Sequence, residues 1–275
     1  MQRLTTLFLS QLAHSNAILV RVQATQGSVP REPGAWMAVF EGSTVATVGG
    51  GRLELDAIVH ARALLRDASL ARVQHYALGP SLGQCCGGQV SLSFTPVSKG
   101  DIPALELQLR PRTVPVALFG SGHVGAALVQ VLGLLPVDLT WIDSRDQPFP
   151  ADLPDNVRCE HSNPVQGAVA QLAAGSRVLV MSFSHAEDLD IVQACLLRQR
   201  AQGDLPFVGL IGSKTKWATF RHRLEAKGFS DAELAHVTCP IGVPGIDDKR
   251  PEVIAVAVAA QVMQVMQVAS GSSPR

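Results

Sequence analysis

The segment Gly120-Ser-Gly122-His-Val-Gly125 constrains this chain more than any other stretch. It follows the apolar run "VPVALF", which reads as a buried strand, and opens "HVGAALVQVLGLL", which reads as a helix. A bare G-x-G-x-x-G is a weak signal in a chain with 24 glycines. Its position between strand and helix, and the acid Asp143 closing the next strand "VDLTWID", make it a Rossmann-type fingerprint. In that pattern Gly120 permits the tight turn and Gly122 lets backbone N–H groups approach a phosphate. Gly125 lets helix and strand pack closely, and the helix start favours an anion. Asp143 stands where such folds place an acid that grips a ribose. His123, inside the loop, can cap the helix, touch a ligand or face solvent. Nucleotide binding is a separate question, because a Rossmann scaffold with a lost or reassigned site carries the same glycines.

From residue 114 onward strands and helices alternate. Strand candidates at 177–183 ("RVLVMSF") and 207–213 ("FVGLIGS") are each followed by a helical pattern, which implies a parallel sheet covered by helices. Before that point the pattern differs. Residues 17–24 read as a strand, and 36–40 and 44–48 flank a turn at Glu41–Ser43 as in a hairpin. "GGGRLELDAIVHARALLRD" places Leu53, Leu55, Ile58, Val59, Leu64 and Leu65 near helical spacing. Two further strand-like runs, 71–78 and 89–97, bracket a pair of cysteines. The expected fold is therefore α/β: an N-terminal α+β domain over 1–97, a Pro- and Gly-containing linker over 98–113, and a Rossmann-like domain over 114–275.

Hydrophobic residues make up 47% of the chain and charged residues 17%, a balance that suits a packed globular protein. Lys+Arg and Asp+Glu are both 23, so no global field draws the chain to nucleic acid or to an acidic membrane. "VIAVAVAAQVMQVMQV" is shorter than the roughly 20 residues a membrane span needs. Gln261, Gln264 and Gln267 mark a polar stripe along it, so an amphipathic packing helix is expected. Polar residues interrupt the first apolar piece too soon for a secretory signal. A soluble, cytoplasmic protein follows, whose five cysteines are thiols.

Cys85 and Cys86 sit in "LGQCCGGQV", between Gly83 and the pair Gly87-Gly88. Glycines on both sides suggest a tightly folded loop that something approaches closely. N–H dipoles there would favour a thiolate. Buried packing is the alternative to three functional readings: a soft metal ligand, a sulfur carrier or redox thiol, or a nucleophile. No Cys or His lies at zinc-like spacing around the pair. Gly49-Gly50-Gly51 with Arg52 opens a helix and would suit a terminal phosphate, or it is only a flexible turn after the hairpin. "SFSHAEDLD" leaves a strand and enters a helix, so His185, Glu187 and Asp188 are candidates for the ligand crevice, or Ser184 merely caps acids in the first turn. Lys214 and Lys216 start another helix where they could meet phosphate or water. "TCPIGVPGIDDKRP", carrying Cys239 and Lys249, reads as a lid or a wall of a site.

Taken in order, "GSVPREPGAWMAV", "VGGGRLE", "LGQCCGGQV", "FGSGHVG", "GLIGSKTK" and "CPIGVPGIDDKRPEVIAVAVAAQ" resemble the XdhC/CoxI family of accessory proteins for molybdenum hydroxylases. The resemblance implies that the chain binds the molybdenum cofactor in its molybdopterin form, assists its sulfuration and hands it to apo-xanthine dehydrogenase. It implies a cysteine desulfurase and molybdenum cofactor biosynthesis proteins as further partners, and leaves a homodimer open. Cys86, then Cys85, would approach the molybdenum or its sulfur ligand. Gln84, Gly87 and Gly88 in the same loop, Gly49–Gly51 with Arg52, and Gly120, Gly122, His123, Gly125, Asp143 and His185 would serve the cofactor. Phe183 stands where family members often show a second histidine, so the resemblance offers His185 without a partner histidine.

Two other functions compete with a non-catalytic chaperone. An NAD(P)-dependent oxidoreductase would use the Gly120–Asp143 fingerprint, but it leaves the cysteine loop and the first domain without a task. Catalysis of sulfuration through a persulfide on Cys85 or Cys86 is the other variant.

Overall fold

The computed structural model describes residues 2–78, 87–111, 113–146 and 149–269. The chain divides into two compact units, 1–111 and 112–275.

In the first unit, helix α1 (Gln2–Leu12) precedes strand β1 (Ala17–Gln26), and β2 (Trp36–Val39) and β3 (Thr44–Ala46) form the expected hairpin. Helix α2 (Gly51–Arg66), β4 (Val73–Ala77) and β5 (Gln89–Val97) complete an antiparallel sheet in the order β3-β2-β1-β5-β4. Alternation along β1 decides what covers each face. Ile18, Val20 and Val22 pack with Leu53, Ala57, Ala61 and Leu64 of α2. Ala17 and Leu19 point the other way, towards Phe8 and Leu12 of α1. The stretch 98–113, read as a linker, contains a 3-10 turn and helix α3 (Ile102–Gln108). Leu105 and Leu109 are buried in the same cluster as α1, because a capping box on Ser98 and Asp101 starts the turn that aims them inward.

The second unit contains β6 (Val114–Phe119), α4 (His123–Leu132), β7 (Val137–Asp143), β8 (Val157–His161), β9 (Arg177–Val180), α5 (His185–Gln202) and β10 (Phe207–Leu210). It continues through α6 (Lys214–Glu225), α7 (Asp231–Leu234), β11 (Val237–Thr238) and α8 (Pro251–Ala269). All its strand pairs are parallel, in the order β11-β10-β9-β6-β7-β8. Read from β8, this is the strand order of a dinucleotide-binding fold, with its reversal between β6 and β9. Ala117 and Phe119 face α5 and α6; Val116 and Leu118 face α4 and α8. The edge strands β8 and β11 escaped the sequence reading because one is mostly exposed and the other has only 2 residues.

Helix α8 packs as expected. Ala255, Val258, Val262 and Met266 form its buried stripe, while Gln264 and Gln267 are exposed. Gln261 turns inward: its side-chain oxygen accepts from the Gly242 N–H at 2.8 Å. Among the described residues no helix is long and apolar enough to cross a membrane.

Candidate functional site

Three motif stretches of the first unit meet at one end of its sheet. The N–H of Leu78 donates to the Gly88 carbonyl at 2.7 Å, which closes the base of the cysteine-bearing connection between β4 and β5. Gly88 is buried so tightly that a Cβ there would lie 2.4 Å from the Ser28 carbonyl oxygen and 2.6 Å from that of Gln26. The 27–34 loop thus touches this base, and its Pro30 also packs against Gly49, with Cγ 2.6 Å from where a Cβ would stand. Gly87 is exposed. Gln84, Cys85 and Cys86 lie outside the described residues.

The triple-glycine turn is already engaged by the protein itself. Glu54, in the first turn of α2, accepts from the N–H of Val48 at 3.1 Å and of Gly50 at 3.2 Å. It also accepts from the Thr47 hydroxyl, which in turn accepts from the Gly49 N–H at 3.1 Å. Arg52 pairs with Asp56 at 2.8 Å and its side chain is exposed. The phosphate cradle expected from Gly49–Gly51 and Arg52 is therefore filled by an internal carboxylate, which an incoming phosphate would have to displace.

In the second unit the glycine fingerprint takes its expected shape. Gly120 has φ +112°, and a Cβ there would lie 2.0 Å from the Met181 carbonyl oxygen. Only glycine permits that approach of the ends of β6 and β9. A Cβ on Gly125 would lie 2.2 Å from the Gly120 carbonyl oxygen, the helix–strand contact assigned to this position. Gly122 is the N-cap of α4 and is exposed, as is His123 beside it.

Asp143 departs from the ribose role. Its Oδ2 accepts from the Ser121 N–H at 2.6 Å, the Ser121 hydroxyl at 2.8 Å and Arg145 Nη2 at 2.9 Å. Its Oδ1 accepts from the N–H and Nε of Arg145, both at 2.9 Å. Two carboxylate oxygens offer about four lone-pair positions, so little acceptor capacity is left for a ribose diol. Burial alone would push the Asp143 carboxyl up, but the bonds from Arg145 and Ser121 outweigh it and hold the group well below the usual carboxylate range.

Around this clamp, side chains from the C-terminal ends of neighbouring strands converge. Ser144 donates to Glu187 Oε1 at 2.5 Å, joining the segment after β7 to the start of α5 across the end of β6. The Arg145 guanidinium lies 5.5 Å from the centroid of the Phe183 ring, which is 63% exposed. Asp188 is buried; its Oδ1 accepts from the N–H and hydroxyl of Ser182, both at 2.8 Å. Its Oδ2 pairs with Lys216 Nζ at 2.6 Å, and that ammonium also donates to the Ile211 carbonyl at 2.9 Å. Lys216 is thus committed internally rather than offered to a phosphate. Cys239 lies near this pair; burial pushes its thiol up to about 11, against the pull of the Lys216 charge. His185 is exposed at the first position of α5, 6.4 Å from the Phe220 ring. The 238–251 loop is a wall at its start, since Ile241 and Val243 N–H groups bond to Leu210 and Ala257.

Sequence reasoning missed Ser121, Ser144, Arg145 and Ser182. Their shared signal is position: each stands within three residues of the C-terminal end of a parallel strand, where ligand crevices form. Among the described residues no group of three or more His, Cys, Asp or Glu is placed to hold a metal ion.

Comparison with known proteins bears on this arrangement. Residues 116–262, just over half of the chain, match the XdhC Rossmann domain, and residues 11–77 match the XdhC and CoxI family. The chain belongs to the XdhC and CoxI family. Both units carry a family match, so the glycine-rich junction of the first and the crevice of the second are features of a family protein. The chain is similar to the uncharacterised protein YqeB of Escherichia coli strain K12, at 26% identity over 258 residues. That match covers 92% of this chain and 44% of YqeB, so the chain spans less than half the length of that relative. Its fold is that of a crystallised Bacillus halodurans protein described as a xanthine dehydrogenase, with a TM-score of 0.80 at 20% identity and 98% of each chain covered.

Proposed function

We propose that this chain is an accessory protein for xanthine dehydrogenase: it binds the molybdenum cofactor, supports its sulfuration and delivers it to the apo-enzyme. The observation that carries this reading is the meeting of two stretches inside the family match, 27–34 and 48–54, with the base of the cysteine loop at one end of the first unit. The base of that loop is held by Gly88, a glycine that admits no side chain. A soft thiolate suits molybdenum or its sulfur ligand, with Cys86 the first choice and Cys85 the second. A cysteine desulfurase supplies the sulfur in this reading, and the chain itself performs no turnover. Cytoplasmic location follows from the same reading.

The competing oxidoreductase reading has the Rossmann strand order in its favour. Against it, the ribose-binding acid is consumed by Arg145 and Ser121, and the Ser144–Glu187 bond crosses the reversal point where a dinucleotide would lie.

The test is the double variant Cys85→Ala/Cys86→Ala, purified after expression with cofactor synthesis. The wild-type chain is expected to retain molybdenum cofactor near one per chain and the variant to lose it, read as molybdenum content and pterin fluorescence. A double variant that keeps stoichiometric cofactor sinks the assignment. Stoichiometric NAD(H) with substrate-dependent reduction would replace it with the oxidoreductase.

A further inference from the structure

A sheet edge presents a row of unpaired backbone N–H and C=O groups, which proteins blunt by shortness, charge, proline or a bulge. Among the described residues three edge strands are blunted in this way. β3 is 3 residues long and ends at Ala46, whose φ is 65°. β8 carries Arg158 and Glu160, and β11 has 2 residues. β4 has none of these devices. Its sequence, Val73-Gln-His-Tyr-Ala77, holds no Lys, Arg, Asp, Glu or Pro, and its register with β5 is unbroken.

The ladder shows which groups this edge offers. The Leu78 N–H donates to the Gly88 carbonyl and the Phe94 N–H to the Arg72 carbonyl. The closely spaced pairs of β4 with β5 therefore fall on the even-numbered residues of β4. The backbone groups of Val73, His75 and Ala77 point away from β5 and find no partner among the described residues. All three residues are exposed. Helix α2 stands beside this edge: His60 Nε2 lies 2.7 Å from the carbonyl of Ala71, just before β4, and the His60 ring packs edge-on to Phe94 of β5. The neighbouring Val59 is 63% exposed, and Leu55 one turn earlier is 55% exposed. An unguarded edge and an exposed apolar helix flank thus lie side by side in the first unit.

We propose that β4 pairs with β4 of a second copy of this chain, antiparallel about a two-fold axis at His75. The strand is self-complementary in that register: His75 faces its counterpart and Val73 faces Ala77, each pair exchanging both backbone bonds. The two-fold axis places both α2 helices on one face of the continued sheet, where Leu55 and Val59 of the two copies cover one another. A lone extended peptide would satisfy the same backbone groups but bring no apolar flank to cover these side chains. The same register sets Arg72 of the second copy opposite Leu78, at the base of the cysteine loop. This inference is independent of the cofactor reading above.

The test follows the full chain by sedimentation velocity and by amide hydrogen exchange over a dilution series. The wild type is expected to dimerise as concentration rises. In the dimer the Val73, His75 and Ala77 amides should slow by about tenfold or more, while those of the β8 edge do not change. His75→Pro removes an outward N–H and leaves the β4–β5 ladder intact, so the folded variant should dimerise at least about tenfold more weakly. Val59→Lys should weaken dimerisation by about three- to tenfold, because it sets a charge in the apolar flank. The exchange measurement needs only the wild-type chain, so a poorly folding variant does not spoil it. A chain that stays monomeric throughout the series overturns the proposal, as does a dimer whose β4 amides exchange at one rate at every concentration. A folded His75→Pro chain that dimerises like the wild type overturns it too. Edge amides that slow only when apo-xanthine dehydrogenase is added would assign the edge to that enzyme and overturn the second copy as its occupant.

Discussion

Asp143 illustrates how much one carboxylate can be asked to do at the end of a parallel strand. It ties the glycine loop, through Ser121, to the segment after β7, through Arg145, and is itself only 4% exposed. Because its folded-state pKa is depressed below the unfolded value of about 3.9, its stabilisation is fully present above that pH. The stabilisation is lost as pH falls through the depressed folded value. Asp143→Asn should therefore cost on the order of 3 kcal/mol near pH 7, since it leaves the half-buried Arg145 without its carboxylate. Chemical denaturation at pH 7 and at pH 3 checks this: the gap between wild type and variant should shrink on the acid side. An equal gap at both values would remove the clamp from the account. The sequence showed the acid and its place, and gave no sign that an arginine two residues on would claim it.

Elements divide by how local their signals are. Helix α8 was readable because its buried positions recur along one face, and Val258 and Val262 are both fully buried there. Val262→Ala should cost about 2 kcal/mol from lost burial and the cavity left behind, while Gln264→Ala on the exposed face should change stability by less than about 0.5 kcal/mol. Thermal or urea unfolding of the two variants side by side measures the difference, and similar effects would contradict the packing of this helix. Helix α3 was not readable in the same way. Its Pro103 and scattered charges look like a linker, and only the positions of Phe8 and Leu12 show why Leu105 and Leu109 turn inward. The start of α5 is a third case. Its serine cap is local and was legible, but the direction taken by Glu187 depends on Ser144, which reaches it only through the sheet order.

At the scale of the whole molecule, each unit has its own hydrophobic clusters, two in 1–111 and two in 112–275 among the described residues. A core of its own is what lets a unit fold alone. The fragment 112–275 is expected to show a cooperative thermal transition by circular dichroism, as is 1–111, and a fragment that melts without one would show that its core is incomplete. The second unit was the more legible from sequence. Its central strands β6, β9 and β10 are apolar runs buried on both faces, and glycine fixes the turn between β6 and α4. Those signals are set by neighbours a few residues apart, so the chain alone determined the central elements, their alternation and the place of the crevice, but not the edge strands β8 and β11. Which side chains remain free at a site is a different kind of question. Glu54 fills the glycine turn, Arg145 consumes Asp143, and Glu187 leaves its cap for Ser144. Hydrogen-bond partners are chosen among all donors and acceptors that tertiary packing brings within about 3 Å, and a one-dimensional pattern does not contain that choice.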